Sequence, residues 1–272
     1  MTKTFGFLLN KVRENKPLVY HITNYVTVND CANITLGIGA SPVMADAIDE
    51  AADIAAIAGA VVLNMGTLNE RTIPSMLAAG KAANTKGIPV VFDPVGVGAS
   101  WLRNDTAARL ISELELSVLR GNISEIKFVA GLGSKTKGVD ASESDIASVD
   151  DVGKIVKGLA QKLGCVVVVS GKVDTISDGD KIVYTENGHP MLGNLTGTGC
   201  MCSSLVGSFC GVAKDETLKA AVAAMLCMGV AGELAHKNAG HLGAGSFHVA
   251  LHDAISRMDS ETLERLAKYR EA

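Results

Sequence analysis

A glycine-rich segment late in the chain carries the strongest chemical signal. Residues 194–200 read Asn-Leu-Thr-Gly-Thr-Gly-Cys, and an apolar stretch rich in small residues follows at once and predicts a helix. Such a loop aims backbone N–H groups at an anion, and the dipole of the following helix adds attraction for negative charge. A tight turn before a buried helix would have the same pattern. Phosphate binding is the favoured interpretation.

Polar residues and glycines also follow three short apolar runs. They lie at residues 64–66 (Asn-Met-Gly), 93–96 (Asp-Pro-Val-Gly) and 170–171 (Ser-Gly). In open α/β sheets, ligands bind at the carboxyl ends of the strands. Because Asn, Asp, Ser and Gly are also ordinary turn formers, only their coincidence on three strands indicates a site. No Walker A loop is present at Ser170, because the upstream glycine position of that motif holds Val166.

Asn122 and Glu125 form a third signal, directly after Arg120. An Asn with a Glu three residues later is a variant of the capping box that begins a helix. The alternative is a carboxylate held beside Mg²⁺ or phosphate, and on spacing alone the cap is favoured. Arg120 would then contact a nucleotide phosphate or lie in solvent.

The elements that must position these residues are those of an α/β protein. Nearly unbroken apolar runs at residues 60–64, 88–93 and 165–170 predict strands buried on both faces, and residues 17–23 predict a weaker fourth. Apolar residues at helical spacing predict helices over residues 47–58, 70–86, 105–119, 200–212 and 216–237. This alternation predicts one α/β domain over residues 1–272, with a doubly wound, mostly parallel sheet and helices on both faces.

One edge of the sheet is expected to carry an antiparallel hairpin. Its strands are predicted at residues 183–186 and 190–192, and Asn187-Gly188 is a strong signal for the turn between them.

Composition excludes several classes of function. The chain has 272 residues, of which 47% are hydrophobic, and a net charge of −4. Because acidic and basic residues are mixed along the chain, binding to nucleic acid or to an anionic membrane surface is not expected. No apolar run is expected to span a membrane. Six irregularly spaced cysteines and an N-terminus unlike a signal peptide predict a cytoplasmic protein with reduced thiols. His248 and His252 are four residues apart, without a convincing set of metal ligands around them.

The glycine loop and the upstream N-x-x-E resemble the ribokinase-like superfamily, whose loop reads G-x-G-[DC] at a helix N-terminus. In most members the fourth loop position is Asp, the presumed base. Here it is Cys200, which resembles the hydroxyethylthiazole kinase family, whose loop typically reads T-G-x-G-C. Further segments resemble the family and extend the likeness over residues 8–255. These segments are residues 21–26, 39–45, 63–68, 92–96, 120–125 and 243–247.

The resemblance implies transfer of the ATP γ-phosphate, with Mg²⁺, to the hydroxyl of 4-methyl-5-(2-hydroxyethyl)thiazole in thiamine biosynthesis or salvage. It also implies a homotrimer with active sites at subunit interfaces. The site residues it implies are Cys200 beside the substrate hydroxyl, Thr196, Gly197, Thr198 and Gly199 as the anion hole, Arg120, Ser170 and Asn122 at the nucleotide, Met44, Gly197 and Asn24 at the thiazole, and Asp93 and Glu125 at the metal.

A thiol at the base position is compatible with phosphoryl transfer, because the transition state is loose and catalysis is mostly positioning. A thiol has a reference pKa of about 8.5, against about 3.9 for Asp, and a helix N-terminus is expected to lower the pKa of Cys200. Two alternatives stay open. Another ribokinase-like kinase, for a hydroxymethylpyrimidine or a sugar, is disfavoured by Cys200. A non-catalytic nucleotide-binding protein is disfavoured by the retained Asp93, Asn122, Glu125 and Arg120.

Overall fold

The computed structural model describes residues 4–132 and 148–272. The helices in these ranges are α1 (Thr4–Asn15), α2 (Val28–Ile38), α3 (Ile48–Ile57), α4 (Thr72–Thr85), α5 (Trp101–Glu113), α6 (Ile123–Val129), α7 (Val149–Leu163), α8 (Thr198–Cys210), α9 (Thr217–Ala239), α10 (Ala244–Arg257) and α11 (Ser260–Leu266). The strands are β1 (Leu18–Ile22), β2 (Ser41–Met44), β3 (Ala60–Asn64), β4 (Val90–Asp93), β5 (Val118–Asn122), β6 (Val166–Ser170), β7 (Asp174–Ser177), β8 (Ile182–Thr185) and β9 (Tyr269–Glu271).

These strands form one sheet in the order β2-β1-β3-β4-β5-β6-β7-β8-β9. The strands from β2 to β6 are parallel, and β7, β8 and β9 extend the sheet in antiparallel fashion. The predicted α/β class with a doubly wound, mostly parallel sheet is therefore confirmed. The four predicted strands are all present, close to their expected bounds.

Each face of the sheet has its own apolar core. Val61 and Leu63 of β3 pack with helices α3 to α7, whereas Val62 packs on the other face with α1, α2 and α8 to α11. Successive side chains of a strand point to opposite faces, so a strand covered on both must be apolar throughout. This is why the central strands read as unbroken apolar runs.

The predicted helix over residues 105–119 is wrong at both ends. α5 begins earlier, where the Ser100 hydroxyl caps it by accepting from the Arg103 N–H, and it ends at Glu113. Leu114 has an extended backbone, and β5 follows between β4 and β6. Val118 and Leu119 of β5 continue the helical spacing of Leu110 and Leu114 by chance, so the predicted helix ran on into the strand.

The predicted hairpin at Asn187-Gly188 is also wrong. β8 pairs with β7 and β9, and residues Pro190–Asn194 form a 3₁₀ helix. Pro190 has no N–H to give to a strand pair. The Asn187 side chain instead donates to Glu233 at 3.1 Å and accepts from the Lys268 N–H at 2.7 Å, which ties the segment to α9 and to the chain after α11.

The long apolar helix α9 departs from expectation too. Residues 214–242 form a helical segment long and apolar enough to cross a membrane by length and composition, which the sequence reading had excluded. Of the 18 most apolar consecutive residues in this segment, 78% are buried inside the protein. Burial of that extent is the property of a core helix, and α9 packs against α8, α10 and α1.

Candidate active site

A row of polar side chains crosses the carboxyl ends of the central strands on the face that α8 covers. Asn64 of β3 is in register with Asp93 of β4, and Val91 of β4 is in register with Val118 of β5. Both valines belong to the α8-side core. Residues two positions further along a strand face the same way. Asp93 and Arg120 are therefore lateral neighbours, both directed toward α8.

Asp93 is the centre of this row and is 1% exposed. Its Oδ2 accepts from Asn64 Nδ2 at 3.0 Å and from Ser203 Oγ at 2.7 Å, and it lies 3.6 Å from Arg120 Nη1. Its Oδ1 is buried and has no hydrogen-bond partner within the described ranges. Burial raises the pKa of Asp93, although the Arg120 charge opposes that shift. A buried, unpaired carboxylate oxygen suits a cation.

Glu125 lies beside this row with both carboxylate oxygens already occupied. Oε1 accepts from the Gly96 N–H at 2.8 Å and Oε2 from the Asn122 N–H at 2.8 Å. Asn122 Oδ1 in turn accepts from the Glu125 N–H at 2.9 Å, so the predicted capping box is confirmed. Burial, and then the charge of Asp93, raise the pKa of Glu125 to about 7. A cation between the two carboxylates would favour ionisation of both.

Cys200 completes the cluster from the first turn of α8. Its Sγ lies 3.3 Å from Asn24 Nδ2 and 3.2 Å from Asn64 Nδ2, and both amides donate. The Asn64 amide is oriented by its other contacts, because Oδ1 accepts from the Gly66 N–H while Nδ2 donates to Asp93. Burial and the Asp93 charge raise the pKa of the Cys200 thiol. The expected lowering of this pKa is therefore wrong, because burial and the Asp93 charge act in the opposite direction.

The glycine loop has the backbone shape that its composition indicates. Gly197 is the N-cap of α8 with φ of 89°, a left-handed conformation that other residues rarely adopt. A Cβ on Gly199 would lie 2.8 Å from Arg120 Nη1, so only glycine lets the guanidinium approach the helix N-terminus this closely. Thr198 Oγ1 donates to the Leu192 carbonyl at 3.0 Å. The first N–H groups of α8 have no partners inside the helix.

A cavity of about 640 Å³ opens beside Arg120, where its guanidinium meets Ser170. Arg120 Nη2 donates to Ser170 Oγ at 2.6 Å, and both residues line the cavity with Thr198 and Gly199. Lys172 and the 3₁₀ helix Pro190–Asn194 contribute to the opposite wall. This volume is within the usual range for small-molecule sites. A larger groove of about 850 Å³, between α9 and α10, shares none of these residues.

The predicted site residues thus fall into two groups. The structure brings together Asn24, Asp93, Arg120, Asn122, Glu125, Ser170 and residues 197–200. Met44 is half-buried at the end of the edge strand β2, in register with His21, and so lies at the same carboxyl edge of the sheet as Asn24, which follows β1.

Sequence reasoning missed three side chains that organise the cluster. Asn64 joins Asn24, Cys200 and Asp93, and Ser203 donates to Asp93. Arg103 donates to the carbonyls of residues 65, 66 and 95, which ties the loops after β3 and β4 together. Asn64 was visible only as a turn former at a strand end. Nothing in the spacing of Arg103 or Ser203 singled them out.

The fold is that of the ribokinase-like proteins. The fold is similar to that of Staphylococcus aureus pyridoxal kinase, solved in complex with ADP, with a TM-score of 0.61 at 14% identity, covering 80% of this chain and 88% of that one. A sequence model of the hydroxyethylthiazole kinase family matches residues 9–261, and the chain belongs to that family.

Relatives in the family cover the chain almost completely. The hydroxyethylthiazole kinases of Ruminiclostridium cellulolyticum and Clostridium beijerinckii are 59% and 58% identical, over 99% and 98% of this chain and 98% and 96% of theirs. The solved hydroxyethylthiazole kinase of Pyrococcus horikoshii is 38% identical with a TM-score of 0.90, over the full length of both chains.

Proposed function

We propose that this protein transfers the γ-phosphoryl group of ATP to the hydroxyl of 4-methyl-5-(2-hydroxyethyl)thiazole, in thiamine biosynthesis or salvage. Family membership supports the reaction. The observation that carries it is the place of Cys200, held by two amide donors at the glycine loop beside Asp93. Asp occupies that loop position in most ribokinase-like enzymes, so the thiol favours the thiazole alcohol over a sugar or a hydroxymethylpyrimidine.

ATP binds in the 640 Å³ cavity, which Arg120 and Ser170 line. Asn122, in register with Ser170 at the end of β5, is its third contact. Charge-assisted hydrogen bonds from a guanidinium suit phosphate oxygens. Arg120 is already oriented by Asp93 and Ser170, so little side-chain freedom is lost on binding. Its Nε is buried and has no hydrogen-bond partner within the described ranges, which leaves one further donor for a phosphate oxygen.

Mg²⁺ is held between Asp93 and Glu125. Asp93, whose Oδ1 is unpaired within the described ranges, and Glu125, whose oxygens accept backbone N–H groups, would hold the ion directly or through water. Bound there, Mg²⁺ would supply positive charge against the charge that develops on the phosphate oxygens. The raised pKa values of both carboxyl groups support a site built for a cation.

The loop Thr196, Gly197, Thr198 and Gly199 forms the anion hole, with its N–H groups directed at the transferred phosphoryl group. Cys200 positions the acceptor hydroxyl and weakly polarises it. A covalent role would need a thiolate, and the raised pKa of Cys200 keeps the thiol protonated at neutral pH. A protonated thiol is sufficient because a loose transition state demands little proton removal.

Asn24, Gly197 and Met44 border the thiazole, and a homotrimer completes this site from a neighbouring subunit. Two large side chains directly after Asn24 support an interface there, since Tyr25 is 77% exposed and Val26 56%. Light scattering coupled to size exclusion is expected to give about three times the 28.2 kDa chain mass. A fully active monomer would refute an interfacial site.

We also propose that residues 1–272 are one kinase domain and that the protein is cytoplasmic. The single sheet spans the described chain from β1 to β9. The burial of α9 supports a protein without a membrane span, and the six free cysteines, all buried, support a reducing compartment.

A coupled ADP-release assay tests the proposed reaction. The parent protein is assayed with the thiazole alcohol, a hydroxymethylpyrimidine and ribose, each with and without Mg²⁺. Turnover confined to the thiazole alcohol and dependent on Mg²⁺ is expected. Preference for another alcohol would identify a different ribokinase-like kinase, and absence of turnover with all three would leave only nucleotide binding.

A further inference from the structure

A second polar cluster lies where α2 packs against α10, and its Asp30 carboxylate borders Gly197 of the glycine loop. Asp30, in the first turn of α2, meets His248 and His252 of α10. Its Oδ1 lies 3.1 Å from His248 Nε2 and 3.8 Å from His252 Nε2. The three side chains offer ligand atoms that all lie within 4.8 Å of one another.

Hydrogen bonding does not account for this arrangement. His248 Nε2 and His252 Nδ1 are both buried and lack a hydrogen-bond partner in the part of the chain that the structure describes. The 3.1 Å approach to Asp30 therefore lacks the direction of a hydrogen bond. The imidazole rings, with centroids 5.1 Å apart, are tilted rather than stacked. A buried ring nitrogen without a partner is costly unless something binds it, and His248 Nε2 is such a nitrogen beside Asp30.

Three such ligands match the needs of a transition metal. Zinc lies about 2.0–2.1 Å from imidazole nitrogen and carboxylate oxygen. Tetrahedral ligands at that radius are about 3.4 Å apart, which is between the two separations measured from Asp30. Imidazole with carboxylate suits zinc and its neighbours, whereas Mg²⁺ prefers oxygen ligands. The cluster is therefore unlike the Asp93–Glu125 pair.

Access and rigidity favour binding as well. The side chains of Asp30, His252 and His248 are 21%, 23% and 33% exposed, so an ion can enter and keep a water ligand. His248 and His252 are one helical turn apart on the same face of α10. Both supporting helices are packed in the α8-side core.

We propose that Asp30, His248 and His252 form a binding site for a zinc-class divalent transition metal that joins α2 to α10. The site shares no ligand with the kinase centre. It is structural, because the metal fastens the first turn of α2 onto α10.

Zinc titration with a competing chromophoric chelator tests this site, with excess Mg²⁺ present to fill the oxygen-ligand site. One Zn²⁺ per chain is expected in the parent. His248→Gln and His252→Gln are each expected to weaken binding by more than about 10-fold, the lower bound for losing even an outer-shell partner. His241→Gln, at an exposed histidine, serves as the matched control and is expected to leave binding unchanged.

Two further measurements distinguish the ligands. At a hundred-fold excess over Kd, Zn²⁺ is expected to raise the Tm of the parent by about 5–10 °C. The same Zn²⁺ concentration is expected to leave the Tm of both histidine variants unchanged. Co²⁺ substitution is expected to give visible ligand-field bands without thiolate charge-transfer bands. Unchanged affinity in both variants, thiolate bands, or no stoichiometric Zn²⁺ in the parent would overturn the proposal. Far-UV circular dichroism verifies folding, and Asp30→Asn replaces any variant that does not fold.

Discussion

Replacing Asp93 by Asn should affect stability as well as turnover. Arg120 is 6% exposed, and Asp93, at 3.6 Å, is the carboxylate that pairs with it. Removing one partner of a buried ion pair leaves an uncompensated charge, at a cost of about 3–5 kcal/mol. Because Glu125 also acts on Arg120, we expect the lower end, about 3 kcal/mol. For a chain of this size the Tm should fall by at least about 6 °C.

Turnover of Asp93→Asn should fall by about 10²-fold or more, since we propose that this carboxylate holds Mg²⁺ for phosphoryl transfer. Ser203→Ala is the matched control, because it removes only a neutral donor to the same Oδ2 and should cost about 1 kcal/mol. Urea unfolding and the ADP-release assay are run side by side on both variants.

A double variant separates the two losses. The double variant Asp93→Asn with Arg120→Met has no unpaired charge. Its loss in the free energy of unfolding should therefore be about 2 kcal/mol smaller than the sum of the losses in the two single variants. Its turnover should stay low, since both phosphate-site residues are gone. Additive stabilities, or a parent-like Tm for Asp93→Asn, would refute the view that the carboxylate compensates Arg120.

Three further outcomes are expected from the structure. Cys200→Ala should slow turnover by about 10²-fold, while Cys200→Asp stays active, because Asp holds this place in most related kinases. Burial lowers the pKa of His21 to about 4, so His21 is neutral in the folded state at neutral pH. Its contribution to the free energy of unfolding should be complete above about pH 6.5 and should fall by about 3 kcal/mol toward pH 4. His21→Gln should remove that part of the slope in urea unfolding. Arg103→Lys should lower the Tm by about 4–8 °C, because one ammonium cannot reach all three carbonyls, and should lower kcat as the Gly96 loop loosens.

Each of these outcomes has a contrary result. Inactive Cys200→Ala and Cys200→Asp proteins, with a burst of ADP in the parent, would indicate a phosphocysteine intermediate. An identical pH slope in parent and His21→Gln would mean that His21 is already solvated or charged in the folded state. A parent-like Tm for Arg103→Lys would show that the loops after β3 and β4 hold their shape without the guanidinium.

Much of the candidate site was predictable because its parts are local patterns. The glycine loop at residues 194–200, the Asn122–Glu125 box and the strand ending in Asp93 each depend on residues close in the chain. Their convergence follows from one rule, that the carboxyl ends of parallel strands share an edge of the sheet. The fold class followed from the same apolar runs.

The remainder depended on registers and contacts that local spacing does not encode. The Asp93–Arg120 pair needs the alignment of β4 with β5, and the predicted helix over residues 105–119 had included the first two residues of β5. Asn64 could be seen as a bridge only once Cys200 and Asn24 were placed beside it. The sign of the Cys200 pKa shift was missed because burial, which raises the pKa of this thiol, is not visible in the sequence.

The two-sided core has a consequence for biosynthesis. Helices α3 to α7, which cover one face of the sheet, emerge from the ribosome soon after the strands they cover. The other face is covered mainly by α8 to α11, from the last part of the chain. A nascent chain ending before Thr198 would therefore hold a sheet with one apolar face covered only by α1 and α2. Exposed surface of this kind aggregates or recruits chaperones. The interval between synthesis of β6 and release of α11 is thus when this protein is most vulnerable.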